Sequence, residues 1–129
     1  MQVALTFVLL FWMAALRTGA LQRREVHPRD IALRQPNWSP RAQQIANAFH
    51  NQLEVPVLFY VLTILALLTR KADLLFVVMA WIFVVLRLLH AAIHVTSNNV
   101  PRRGAVYVGG VLLLAAMWLV YAVRILLAL

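Results

Sequence analysis

Apolar and polar residues alternate along the chain in long blocks. Four apolar runs stand out: Val3 to Leu16, extending to about Leu21 past Arg17 and Thr18; Leu53 to Leu68; Ala72 to about Val95; and about Ala105 to Leu129. A helix that crosses a bilayer needs roughly 20 residues, with a range of about 17–25. The third and fourth runs reach that length unaided. The second reaches it only if the polar stretch from Arg41 is helical too. The pattern predicts spans at about 2–21, 42–69, 72–95 and 105–128. The first run also has the length of a signal peptide, but no Lys or Arg precedes Arg17. Without a charged leading segment, it reads as an uncleaved span.

Three connections join the runs. The first, "QRREVHPRDIALRQPNWSP" at about 22–40, is the one long polar segment and carries Pro28, Pro36 and Pro40. Ser39-Pro40-Arg41 reads as a helix start, with Ser39 as N-cap and Pro40 in the first turn. The second, "TRKAD", is a tight turn. The third is "VTSNNVPRRG". No internal repeat, low-complexity tract or second domain is visible, so residues 1–129 are read as one membrane domain.

Composition agrees with a membrane solvent. The 129 residues are 64% hydrophobic, against about 45–50% in soluble domains. The chain has no cysteine, which excludes disulfides, protein thiolate chemistry and cysteine-ligated zinc. Its formal charge is +8. A nucleic-acid partner would need a basic soluble face; here the charges sit between apolar runs, so no nucleic-acid partner is expected. Loop one and its flanks hold Arg17, Arg23, Arg24, Arg29, Arg34 and Arg41, and loop three adds Arg102 and Arg103. The other side has Arg70, Lys71 and Arg124. Cytoplasmic loops carry the excess of Lys and Arg. Loops one and three are therefore expected in the cytoplasm, with both termini outside. Topology alone accounts for most of these arginines.

The informative positions are polar ones inside the runs. In "ANAFHNQLEVPVLFYVL", residues 46–62, Asn47, His50 or Asn51, and Glu54 recur at helical spacing and predict one polar stripe. Arg87, His90 and His94 form a second stripe on the third span. Ionisable groups inside a bilayer cost a few kcal/mol or more and usually face protein or water with a partner. Glu54 and Arg87 are partners by charge. Polar residues between membrane helices also serve as glue, at about 1 kcal/mol per contact, and a Glu54–Arg87 pair has that structural reading beside the functional one. A metal site is another reading, since His90/His94 and His50/Glu54 are spaced i, i+4. Arg87 beside the histidines argues against a bound cation.

"NAFHNQLEVPVLF", "RLLHAAIH" and "PRRGAVY" together resemble the MAPEG family, the membrane-associated proteins in eicosanoid and glutathione metabolism, and the chain is similar to a divergent bacterial-type member. The resemblance implies an all-α, integral membrane four-helix transmembrane bundle, a cytoplasmic first loop, a homotrimer and, for such a member, the bacterial inner membrane. It also implies glutathione as cofactor, with membrane lipid and a lipophilic small molecule as partners. Asn51 and Glu54 match the family's Asn and Glu on the second helix, with Pro56 following. Arg87 and His90 match its third-helix pattern. Arg103 falls where catalytic members carry the arginine that activates the thiol, with Tyr107 four residues on. Arg103 and Tyr107 are thus the catalytic candidates. Asn47, His50, Asn51, Glu54, Arg87, His90 and His94 are the cofactor-binding candidates, and no residue is assigned to a metal. Arg102, Asn98, Asn99 and the loop-one arginines are further candidates for the glutathione carboxylates.

Two positions depart from the family pattern. Asn47 replaces an arginine, and His94 replaces a tyrosine that commonly contacts glutathione. The implied function is a glutathione-dependent transferase or peroxidase acting on lipophilic electrophiles. The alternative is a non-catalytic membrane protein that binds a lipid or partner in the same cavity between helices.

Overall fold

The structure is a computed structural model that describes residues 1–34 and 36–129; Gln35, in the first connection, lies outside the described residues. Those residues form five α-helices: α1 (Gln2–Gln22), α2 (Pro40–Asn51), α3 (Val55–Leu68), α4 (Leu74–Val95) and α5 (Val100–Leu126). A 3-10 turn at Pro28–Asp30 lies in the first connection. No strand occurs among the described residues. Four stretches are long and apolar enough to cross a membrane: Gln2–Gln22, Pro40–Leu68, Leu74–Val95 and Val100–Leu126. Large apolar side chains such as Phe11, Ile64, Trp81 and Leu112 are exposed along all four, as a lipid solvent allows.

Local chemistry sets most boundaries. Ser39 caps α2 as the sequence predicts: its hydroxyl accepts the Ala42 N–H at 3.3 Å, and its carbonyl accepts the Gln43 N–H. Asp73 caps α4 by accepting the Phe76 N–H at 3.0 Å.

Two expectations need correction. The second span is two helices rather than one, because the chain turns at 52–54 between α2 and α3. Pro56 explains the break. It has no N–H to give the carbonyl four residues back, and its ring would clash with that carbonyl. Asn47, His50, Asn51 and Glu54 therefore do not share one continuous helical stripe. The second correction concerns the fourth span. The helix that carries it begins at Val100, ahead of the apolar run near Ala105, because the Asn99 side chain accepts the Arg102 N–H at 3.1 Å and Pro101 fits the first turn. Arg102 and Arg103 are thus helical residues, and the third connection shrinks to four residues, 96–99.

The chain divides into two compact units, Met1–Asn51 and Gln52–Leu129. In the first, α1 packs on α2. The buried side of α2 is Ala42, Ile45, Ala46 and Ala48, and small residues let membrane helices approach closely. Two guanidinium–indole stacks reinforce the pair: Arg17 over Trp38 at 4.8 Å and Arg41 over Trp12 at 5.0 Å.

The second unit is built on the α4–α5 pair, with α3 against α5. Along α4, Phe76, Ala80, Phe83, Arg87, His90 and His94 recur at alternating spacings of three and four. Along α5, Arg103, Tyr107, Gly110, Leu114, Met117, Tyr121 and Arg124 do the same. These are the seams of a coiled-coil-like pairing. The helices run antiparallel: Arg124 pairs with Asp73 at 2.7 Å at one end, and Tyr107 meets His90 towards the other. The Arg124–Asp73 pair puts Arg124 beside the α3–α4 turn, as the charge count grouped it. Phe83 stacks on Phe59 of α3, centroids 4.5 Å apart. The Phe83 ring edge lies over Gly110; a Cβ there would meet it at 4.0 Å, an ordinary van der Waals contact. Phe59, Leu62, Ala66, Phe83, Leu114 and Met117 complete the apolar core.

Candidate functional site

The polar end of the α4–α5 seam is the most concentrated buried chemistry in the chain. Arg87, His90 and His94 are 2%, 3% and 6% exposed, so the polar face of α4 predicted from spacing is buried against protein. Their alignment follows from helix geometry, since residues three and four apart share a face. The His90 ring lies 5.6 Å from Tyr107 and 5.6 Å from His94, centroid to centroid. The Arg87 guanidinium carbon is 5.9 Å from the centre of the Tyr107 ring, within cation–π range. Glu54 and Tyr60 are close enough for their charges to act on Arg87. Arg103 and Arg87 act in the same way on both histidines.

Arg103 sits one turn before Tyr107 on the same face of α5, half-buried, and donates a hydrogen bond to the Asn98 side-chain oxygen. That oxygen is well placed because Asn98 adopts a left-handed backbone, φ 49°, a region asparagine tolerates better than most residues. The Nδ1 of His90 is buried without a hydrogen-bond partner among the described residues. A buried polar atom of this kind asks for a ligand or water.

The second unit thus brings together Arg87, His90, His94, Arg103 and Tyr107, with Glu54 in electrostatic reach. Asn47, His50 and Asn51 belong to the first unit. Asn47 is exposed and its side-chain oxygen accepts from Gln43 at 2.9 Å. His50 lies beside the Phe49 ring, centroids 5.4 Å apart, and lines a cavity of about 380 Å³ with Arg17, Ile31, Arg34, Trp38 and Gln43. Asn51 is the last residue of α2. No group of three His, Asp or Glu side chains able to hold a metal gathers among the described residues.

Two features escaped the sequence reading. Gln52 is 1% exposed at the α2–α3 break, where an amide beside Pro56 looks like ordinary loop chemistry. The cavity of the first unit draws on three separated segments, and no periodicity links them.

Four membrane-length stretches and a buried cationic and aromatic cluster define a multi-pass integral membrane protein. The MAPEG family model matches residues 1–123, running through both units, and the chain belongs to the MAPEG family. No curated protein and no solved structure matches the chain.

Proposed function

We propose that this protein is a glutathione-dependent transferase or peroxidase acting on lipophilic electrophiles, with Arg103 stabilising the thiolate. The observation that carries this reading is the alignment of Arg103 and Tyr107 on α5 against Arg87 and His90 on α4. Glutathione would supply a nucleophilic thiol. A thiol has an ordinary pKa near 8.5, and a guanidinium beside it favours the ionised form. Arg103 suits that role because arginine keeps its charge when partly desolvated. The Asn98 contact would hold the guanidinium in place while leaving other N–H groups to point at sulfur. Tyr107 would add a hydroxyl donor on the same face. Arg87 and His90 would set the positive field behind it, and the Nδ1 of His90 offers a buried group for a ligand atom. Glu54 would either orient a ligand's amine or hold Arg87 in place. The electrophile would arrive from the lipid that surrounds the exposed apolar faces. A homotrimer in a bacterial inner membrane, with the first and third connections cytoplasmic, is part of the same proposal.

A second reading is a non-catalytic protein that binds a lipid or partner at the same place. Asn47 and His94 favour it, because they stand where the family pattern has residues for an anionic tripeptide.

One experiment separates the two. Purified, detergent-solubilised protein is titrated with glutathione while ultraviolet thiolate absorbance is followed. A thiolate signal is expected in the wild type and none in Arg103→Ala, and turnover of a lipophilic electrophile should fall about 10²-fold in that variant, the usual cost of one donor at a developing or bound anion. Absence of a thiolate signal at millimolar glutathione would overturn the enzyme reading and leave the binding protein.

A further inference from the structure

The cavity in the Met1–Asn51 unit has a composition that the proposed chemistry does not use. It holds about 380 Å³ and is lined by Arg17, Ile31, Arg34, Trp38, Gln43 and His50. That volume falls in the usual range for a small-molecule site. Two guanidinium groups and an imidazole line it, and no carboxylate does.

The acids of this unit are committed elsewhere. Residues 1–51 contain only Glu25 and Asp30 as acids. Glu25 accepts from Arg23 at 2.8 Å, and Asp30 lies 3.8 Å from Arg29. Arg17 instead lies over the Trp38 ring at 4.8 Å. Stacking holds the guanidinium without satisfying its N–H groups, and its Nε is buried with no hydrogen-bond partner among the described residues. Arg34 reaches the same cavity from a left-handed backbone, φ 61°, a conformation that costs a non-glycine residue free energy and tends to persist where structure serves a ligand. Gln43 is already turned to Asn47 through its amide nitrogen. Ile31 and Trp38 give one wall an apolar character.

We propose that this cavity binds a phosphate-bearing anion, with Arg17 and Arg34 as the two forks that grip it. Arginine offers parallel N–H pairs that match phosphate oxygens bidentately. Two such forks converging without an acid suit a phosphate ester better than a single carboxylate. The phosphate can belong to an anionic lipid headgroup or to a soluble phosphate ester. Arg17 lies near the end of one membrane-length stretch, and Gln43 near the start of the next. An interfacial tryptophan beside arginine is also the usual furniture of headgroup depth.

The test uses the full chain, purified in a nonionic maltoside detergent and stripped of lipid. Native mass spectrometry then measures retention of added dioleoyl phosphatidylglycerol against dioleoyl phosphatidylcholine. A parallel arm titrates glycerol 3-phosphate. Retention of phosphatidylglycerol at least tenfold above phosphatidylcholine assigns the site to a headgroup, and saturable binding of glycerol 3-phosphate assigns it to a soluble ester. In either case binding should fall at least tenfold in Arg17→Gln and in Arg34→Gln. Arg17→Lys, which keeps the charge and loses the fork, should weaken binding less than Arg17→Gln does, and binding should persist in Arg29→Gln, which removes an equal charge outside the cavity. If Arg17→Gln does not fold, Arg34→Gln decides, because Arg34 is exposed on the connection. Equal loss in Arg29→Gln would overturn the proposal by showing a general charge effect. So would the lack of both preferences. Displacement of the bound species by glutathione as readily as by glycerol 3-phosphate would also overturn it, and would return the cavity to the glutathione site.

Discussion

The cavity of the first unit and the α4–α5 seam of the second both gather cationic side chains, and they treat them in opposite ways. Arg87 is 2% exposed. It is surrounded by an aromatic ring, two histidines and the field of Glu54. Arg17 and Arg34 border an open space lined by no carboxylate among the described residues, and the Arg17 Nε is buried without a hydrogen-bond partner among them. A buried charge must be compensated by protein, because a low dielectric makes the uncompensated state costly. A cation at an open cavity is compensated by water and mobile ions, and so stays ready for an anion from outside. The charge of Arg87 is balanced inside the seam, whereas the charges that line the cavity face open space.

This contrast can be sharpened in order of expected effect. Phe83→Ala, one turn along α4 from Arg87, should cost about 2–3 kcal/mol. The cavity left by the ring remains, while the transfer component shrinks because lipid is as apolar as the core. Thermal unfolding in detergent would show it, and phosphate-ester binding in the first unit should be unmoved. Loss of that binding would mean that the two regions depend on each other.

Salt comes next. Between 0.1 M and 1 M sodium chloride the screening length falls from about 10 Å to about 3 Å. Affinity of the cavity for glycerol 3-phosphate should weaken roughly tenfold, while the unfolding temperature of the seam changes little. Equal sensitivity would break the distinction between balanced charge and charge that faces open space.

Ser39→Ala should cost about 1 kcal/mol by removing the α2 cap, and it should loosen the cavity because Trp38 immediately precedes it. Hydrogen exchange at the start of α2 would report the change.

The smallest effect concerns Asp73. The hydrogen bond from Arg124, and then that from the Phe76 N–H, hold its carboxyl below the ordinary carboxylate range. Its folded pKa is lower than its unfolded one. Its contribution is therefore present above the unfolded value, near 3.9, and lost as pH falls through the folded value. Asp73→Asn should flatten the acid limb of a stability profile slightly. An unchanged limb would show that the exposed pair contributes nothing measurable.

How legible each region was follows from the same geometry. The face formed by Arg87, His90 and His94 could be read directly, because helical spacing survives translation from sequence to structure. Tyr107 could be placed only through the family resemblance, since nothing in its own span pairs it with His90. The early start of α5 was hidden because Asn98, Asn99 and Pro101 read equally as a loop or as a cap. The break before α3 turned on Pro56, whose effect reaches back to Gln52. The cavity was out of reach because Arg17, Arg34, Trp38 and His50 meet only after the first connection folds back. Four membrane-length stretches needed no such meeting; length and apolar content sufficed.

The helix capped by Asn99 is also a ruler. Arg103 and Arg124 lie on one face of α5, at its two ends. At about 1.5 Å of rise per residue they stand roughly 30 Å apart, close to the hydrocarbon thickness of a typical bilayer. Two guanidinium groups can therefore mark the two edges of the oil at once. Asp73 anchors one mark and Asn98 the other. Sliding the helix along its axis would drag one charge into hydrocarbon, so the pair sets the depth of everything between them. Tyr107 is then held about one turn inside the Arg103 mark, on the same face.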